Sequence, residues 1–210
     1  MLSRWLGVAS KKKKLQISAI DVIHEEHRAL AAVLQGLSYV VEGIEKNNLE
    51  ANFQLLAAMI EYITELPEKV HHPKEDGYLF AKLRQRSAEA GRILNDLQTE
   101  HRQGPLMLSA LNRTLIHYVQ ADAAGFPQFR DEVRAYVDAQ WQHMKMEETK
   151  VIPMAREVLL PEDWAEIDAA FAANDSPWSG HENKYASLFS RIANLAPAPI
   201  GLGSAGRRSG

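Results

Sequence analysis

Residues 20–44, IDVIHEEHRALAAVLQGLSYVVEGI, set Ile20, Ile23, His27, Leu30, Leu34, Leu37, Val41 and Ile44 at steps of three and four. That spacing keeps one face of an α-helix apolar, and it is not the two-residue alternation of a strand. One position of the stripe is a histidine. The helix is expected from about Ser18 to Lys46, capped by Ser18 or Asp21, and the Asn47-Asn48 pair breaks it. The same period recurs three times downstream. Phe53, Leu56, Ile60 and Ile63 lead into Val70, His71, Glu75, Leu79 and Leu83, with Pro67 and Pro73 expected to kink the helix because each removes a backbone donor. Leu94, Leu97, His101, Gly104, Leu108, Leu111, Leu115 and Tyr118 mark a third helix over about 89–123. Val133, Val137, Gln140, Met144, Glu147, Val151, Met154 and Val158 mark a fourth after the Gly125 and Pro127 break. The fold class is all-α, an up-down-up-down four-helix bundle over 17–158. Short helices are expected at 161–173 and 177–194, within an extension over 159–195.

Composition narrows what such a bundle does. The 210 residues form one domain with tails, and a net charge of −3 gives no nucleic-acid footprint. Cysteine is absent, which excludes disulfides, thiolate ligands and a cysteine nucleophile; a transition metal must be held by His, Asp or Glu. The basic run Lys11 to Lys14 follows the short apolar stretch instead of preceding it, so residues 1–16 lack signal-peptide order and read as a solvated leader. No run of about 18 apolar residues occurs, so no membrane span is expected and the cytoplasm is the default location. The Gly- and Pro-rich stretch 196–210 reads as a tail without structure.

The polar residues inside the stripes lie at matching heights. With the first turn at Asn48, His27 and His71 stand 21 and 23 residues to either side; with the second near Ala88, Glu75 and His101 both stand 13 away. With the third at Gly125, His101 is 24 before, and His143 and Glu147 are 18 and 22 after. Each helix rises about 1.5 Å per residue, so all four bring an imidazole or a carboxylate to one layer. His71 with Glu75, and His143 with Glu147, are four apart and share a face; at about 100° per residue His71 and Glu75 fall nearer the apolar face set by Phe53, Ile60 and Ile63 than His72 and Asp76 do, which favours their register. Ionised carboxylates buried among imidazoles call for cations. Nitrogen and oxygen donors without sulfur suit iron, manganese or zinc, and six side chains exceed what one tetrahedral ion needs, which points to two ions.

The residues His27, His71-His72-Pro73-Lys74-Glu75-Asp76, Glu100-His101 and His143-Met144-Lys145-Met146-Glu147-Glu148 together resemble the hemerythrin, or HHE cation-binding, family over about 17–158. The resemblance implies a bundle holding two non-haem iron ions, oxo- or hydroxo-bridged. It makes His27, His71, Glu75, His101, His143 and Glu147 the ligands, with Glu75 and Glu147 as bridges. One position departs from it. Oxygen-carrying members have a second histidine four residues after the third-helix one, and here Pro105 stands there and cannot ligate. His72, His24 or solvent takes that place, His72 first, because some members use the residue directly after the second-helix histidine.

The resemblance implies a protein binding oxygen or nitric oxide for sensing, storage or delivery. Its alternative is an enzyme with peroxidase, catalase, nitric-oxide or iron-handling activity, and peroxide is then a partner. A bundle holding zinc and serving as an interaction module is a third reading. A ferritin-like site would need Glu-x-x-His on two helices, and Glu68-x-x-His71 is a single copy. Glu25, Glu26, Asp76 and Glu148 read as a solvated rim, and His117 and His181 as residues without a role at the site. Met107, Met144, Met146 and Trp141 border a ligand pocket or simply pack.

Overall fold

Ser18 opens the first helix by accepting from Asp21 N while its own N–H donates to the Asp21 carboxylate, and α1 then runs Ala19–Glu45. In this computed structural model residues 18–172 and 184–203 are described. The leader, residues 173–183 with Pro177 and His181, and residues 204–210 lie outside them. Asn47, at φ 56°, turns the chain, and Asn52 caps the next helix by accepting from Leu55 N at 3.0 Å.

The second rod is not one regular helix. α2 (Phe53–Glu65) passes into a π-helical turn over Pro67–His71, then α3 (His72–Lys74), a second π turn over Glu75–Phe80, and α4 (Ala81–Arg86). The expected proline kinks take this form: at Leu66 the carbonyl accepts from His71 N as well as Val70 N. α5 (Ala90–Ala121) carries Pro105 within it, and after a short 3-10 turn α6 (Phe126–Met146) meets a third π turn over Glu147–Val151 before α7 (Ile152–Val158). α1 packs on α2 and α6, and α5 packs on the same two, so four rods close into a ring. α8 (Pro161–Phe171) lies against α1, tied to it by Ala19 N donating to Asp168, and is held to α4 by Arg86 gripping Asp163 with two hydrogen bonds. α9 (Lys184–Leu195) covers α2.

Residues 196–203 differ from the expected tail. They fold back on α9 through Ala196 N to Ile192 O at 2.8 Å and Leu202 N to Ala193 O at 2.7 Å, and Gly203 N closes the stretch on Ala196 O at 2.8 Å, with Ala196 buried. Hydrogen bonds to the last carbonyls of α9 outweigh the turn-rich composition there. No strand occurs among the described residues, only one isolated bridge between Pro197 and Gly203. None of the described helices is long and apolar enough to cross a membrane.

The core is divided in two. One apolar cluster runs from Leu30 to Ile44, Leu55 to Leu66, Leu108 to Tyr118 and Phe129 to Met144. The other joins Ile23, Leu79, Phe80, Leu94, Leu97, Val151 and Ile167 at the opposite end. Where the two clusters meet, every rod brings buried imidazoles or carboxylates to one layer.

Candidate metal centre

That layer holds Glu26, His27, His71, His72, Glu75, His101, His143 and Glu147, all buried, with Glu75 and Glu147 each at 1% exposure. Their ligand-type atoms fall into two groups, His27, His71, Glu75 and Glu147, and His72, Glu75, His101 and His143, each with its atoms within 4.8 Å of one another. The two carboxylates span both groups. Glu75 turns Oε1 to His71 Nε2 at 3.2 Å and Oε2 to His101 Nε2 at 3.7 Å. Glu147 turns Oε2 to His27 Nε2 and Oε1 to His143 Nε2, each at 3.3 Å. Although these oxygens sit close to imidazoles, none of the four accepts a well-aligned hydrogen bond.

The π turns explain why neighbouring residues serve one layer. A regular helix rotates about 100° per residue, so it points His71 and His72 apart, and the same holds for the residues flanking Glu75 and Glu147. Wider turns end at His71 and begin at Glu75 and Glu147, and both His71 and His72 are buried in the layer. The second rod thus supplies His71, His72 and Glu75, where the sequence reading favoured one histidine register over the other. His72 stacks on His101 with ring centroids 4.1 Å apart, and Phe80 covers the other face of His101 at 5.6 Å. His24 stays outside both groups, half-buried near Asp21 and Glu148, and His117 is exposed.

The outward nitrogens were not legible as a set. Glu26 accepts from His71 Nδ1 at 2.6 Å, Asp76 from His101 Nδ1 at 3.0 Å, Glu100 from His143 Nδ1 at 2.8 Å and Glu148 from His27 Nδ1 at 3.0 Å. Each acid is the chain neighbour of a residue in the layer and supports the imidazole of the next rod, so the four links close a circuit around the bundle. Glu68 takes the corresponding place beside His72 Nδ1, at 3.6 Å. The solvated-rim reading therefore fails for Glu26, which is 2% exposed, and is incomplete for Asp76 and Glu148, which keep one side in solvent while holding a histidine. An acid next to a ligand-type residue on all four rods was the available signal.

This circuit tests whether the layer fits cations. With Nδ1–H donating to a carboxylate, a neutral imidazole presents its Nε2 lone pair inward. Yet His27 Nε2 and His71 Nε2 lie 3.1 Å apart, and His101 Nε2 and His143 Nε2 lie 3.0 Å apart. Two lone pairs at that distance repel unless a proton or a metal ion lies among them. Without metal, protons serve: burial opposes charge on His143, but the Glu147 charge and the contact with Glu100 outweigh it and hold the imidazole up at about 10. Burial likewise opposes charge on His71, and the Glu75 charge and Glu26 bond hold it well above the ordinary range. Glu147 resists burial through the charge of His143 and stays well below the carboxylate range. Burial pushes His72 well below the usual histidine value, leaving it neutral and able to donate a lone pair. Inward imidazole nitrogens, spanning carboxylates and no sulfur fit a pair of first-row transition-metal cations.

The family model described as hemerythrin HHE cation binding domain matches residues 18–155. The chain belongs to the hemerythrin family. The match spans the four-rod ring and every residue of the layer, while α8 and α9 lie beyond it. No curated protein and no solved structure gives a significant match. As a hemerythrin-family bundle this chain is a cation-binding domain, and its Pro105 departure coincides with the arrangement in which His72 completes the second group.

Proposed function

We propose that this domain holds two iron ions and binds a small diatomic ligand, oxygen or nitric oxide, for sensing, storage or delivery. The observation that supports it is the double set of donors joined by Glu75 and Glu147. One ion would rest on His27 and His71, the other on His72, His101 and His143, with both carboxylates shared. Iron supplies the electrons that such ligands accept on binding. The protein's own part is to hold the imidazoles in one tautomer through the acid circuit, to neutralise the pair with two buried carboxylates, and to keep bulk water from the layer. Five neutral nitrogens against two carboxylates leave the pair less charged than a carboxylate-rich site, which favours a long-lived reduced state.

A second reading, peroxide consumption, is favoured by one feature. Beside His72, His101 and His143 lies a cavity of about 180 Å³, also lined by Gly104, Met107 and Gln140, and none of His27, His71 or Glu147 lines it. One side of the centre thus faces a space sized for a small molecule. The test is anaerobic ferrous reconstitution followed by optical spectra with oxygen, nitric oxide and peroxide. A reversible change with oxygen or nitric oxide and no peroxide turnover supports the binding protein. Rapid peroxide loss that disappears in His101→Ala supports the enzyme. A colourless protein that keeps zinc and refuses iron contradicts both.

A further inference from the structure

Four imidazoles of the layer already have an acid on their outward nitrogen. The Nδ1 atoms of His71 and His143 lie 2.6 and 2.8 Å from Glu26 and Glu100, and those of His27 and His101 each lie 3.0 Å from Glu148 and Asp76. His72 differs. Among the described residues its Nδ1 has no hydrogen-bond partner, and Glu68 Oε2 stands 3.6 Å from it, too far for a bond. Glu68 is equally unmatched: its side chain is 7% exposed, and Oε1 meets no donor. The space that this acid occupies depends on one residue. Glycine is the poorest helix former after proline, yet Gly104 lies buried in the middle of α5, three residues after His101. A Cβ at that position would collide with Glu68 Oε1 and come within 2.8 Å of its Cδ and Oε2, so a side chain there displaces the carboxyl group.

Two buried, complementary and unmatched groups that face each other just beyond bonding distance form a link left open. A histidine that gives Nε2 to a cation carries its proton on Nδ1. His72 turns Nδ1 to Glu68, which leaves Nε2 for the group it shares with Glu75, His101 and His143. With that nitrogen engaged, the Nδ1 proton has Glu68 as its acceptor; with it free, nothing fixes the proton there. We infer that Glu68, seated on Gly104, is a positioning residue whose hydrogen bond to His72 closes only when the cavity-side cation is held. The inference rests on the two-iron reading and concerns how one of its two sites is completed. Every other imidazole of the layer has its acid in place beforehand, and His72 gains its own on loading. A bond made only in the loaded state contributes wholly to affinity for that ion, whereas bonds made in both states also hold the fold.

The experiment compares wild-type protein with Glu68→Gln, Gly104→Ala and the double variant Glu68→Ala/Gly104→Ala. Thermal midpoints are read on the metal-free proteins, and each is then loaded anaerobically with ferrous iron and titrated with a competing chelator that resolves two irons per chain. Glu68→Gln should weaken one iron about tenfold, because an amide accepts less strongly than a carboxylate, and leave the other within about twofold. Its metal-free midpoint should stay level or rise, since an unmatched buried acid is removed. Gly104→Ala should weaken the same iron about 10- to 100-fold by displacing the carboxyl group. The double variant should lose no more iron affinity than Gly104→Ala, because Gly104 acts through Glu68, and with the collision relieved its metal-free form should melt higher. Equal weakening of both irons, or a metal-free midpoint that falls in Glu68→Gln, means that Glu68 supports the fold and overturns the inference. Unchanged iron affinity in Glu68→Gln overturns it too, as do additive losses in the double variant. Wild-type protein that binds fewer than two irons removes the two-iron reading itself, and the inference with it.

Discussion

The two sides of the polar layer are built from the same chemistry but not to the same plan. On one side His27 and His71 come from two rods, and the acid behind His71 is the buried Glu26. On the other, His72, His101 and His143 come from three rods, two of their rings stack, and a cavity borders all three. The first side has fewer imidazoles and no share in that cavity; the second has more imidazoles and the opening. The difference shows how a bundle with Pro105 one turn after His101 still brings three imidazoles to this side: the second rod, beside a wider helical turn, supplies His72, and the cavity lies next to it.

Breaking the shared elements should cost most. Glu147→Ala should empty both sides, since it removes the oxygen facing each, and metal analysis should find most of the iron gone. Near-full iron in that variant would contradict the shared-carboxylate arrangement. Removing one side's imidazole should separate the two: His72→Ala should keep the ion beside His27 and lose the one beside the cavity, and His27→Ala should do the reverse. Iron per chain near one in each variant, with ligand-induced spectral change surviving only in His27→Ala, is the expected pair of results.

Acidity sharpens the comparison further. Without metal, His143 keeps its proton up to about pH 10, above its ordinary 6.5, so its contribution to stability is full below about pH 6.5 and is lost as pH rises through about 10. The thermal midpoint of the metal-free protein should therefore fall across that window, while the iron-loaded protein, whose cations replace the proton, should change little. Iron uptake should also release protons and weaken as pH falls. Parallel pH profiles for the two forms would contradict the exchange of protons for metal. The smallest effect is expected in the acid circuit. Glu26→Gln should weaken iron on the His71 side about 10- to 100-fold, the usual worth of an outer carboxylate. Glu148→Gln, whose acid is half-exposed, should weaken it less. Equal losses by competitive chelation would mean that burial of the acid does not matter.

Much of the fold was written in the spacing. Leu94, Leu97, His101, Gly104, Leu108, Leu111, Leu115 and Tyr118, read from period alone, are all buried. Helical periodicity survives where a helix is regular, and α5 is regular. It fails where the winding changes. The choice between His71 and His72 assumed a constant rotation per residue, and the π turns over 67–71 and 75–80 remove that assumption, so both face the layer. Pro67 and Pro73 were the visible warning, since a residue without N–H disturbs the ladder locally, but a kink and a widened turn share that signature. Glu26 was misread for a different reason. Its position beside His27 says nothing of the rod opposite, and a carboxylate's partner across a bundle lies in packing, not in local pattern. The folded stretch 196–203 was hidden likewise, because its bonds go to carbonyls of α9.

The claim on which the rest depends is that two cations share Glu75 and Glu147. An anaerobic ferrous titration of the metal-free protein, followed to its end point by optical change and iron analysis, tests it directly. The arrangement predicts saturation at two irons per chain in the wild type and near none in Glu147→Ala. Saturation at a single iron, or a wild-type end point that Glu147→Ala reproduces, would contradict it.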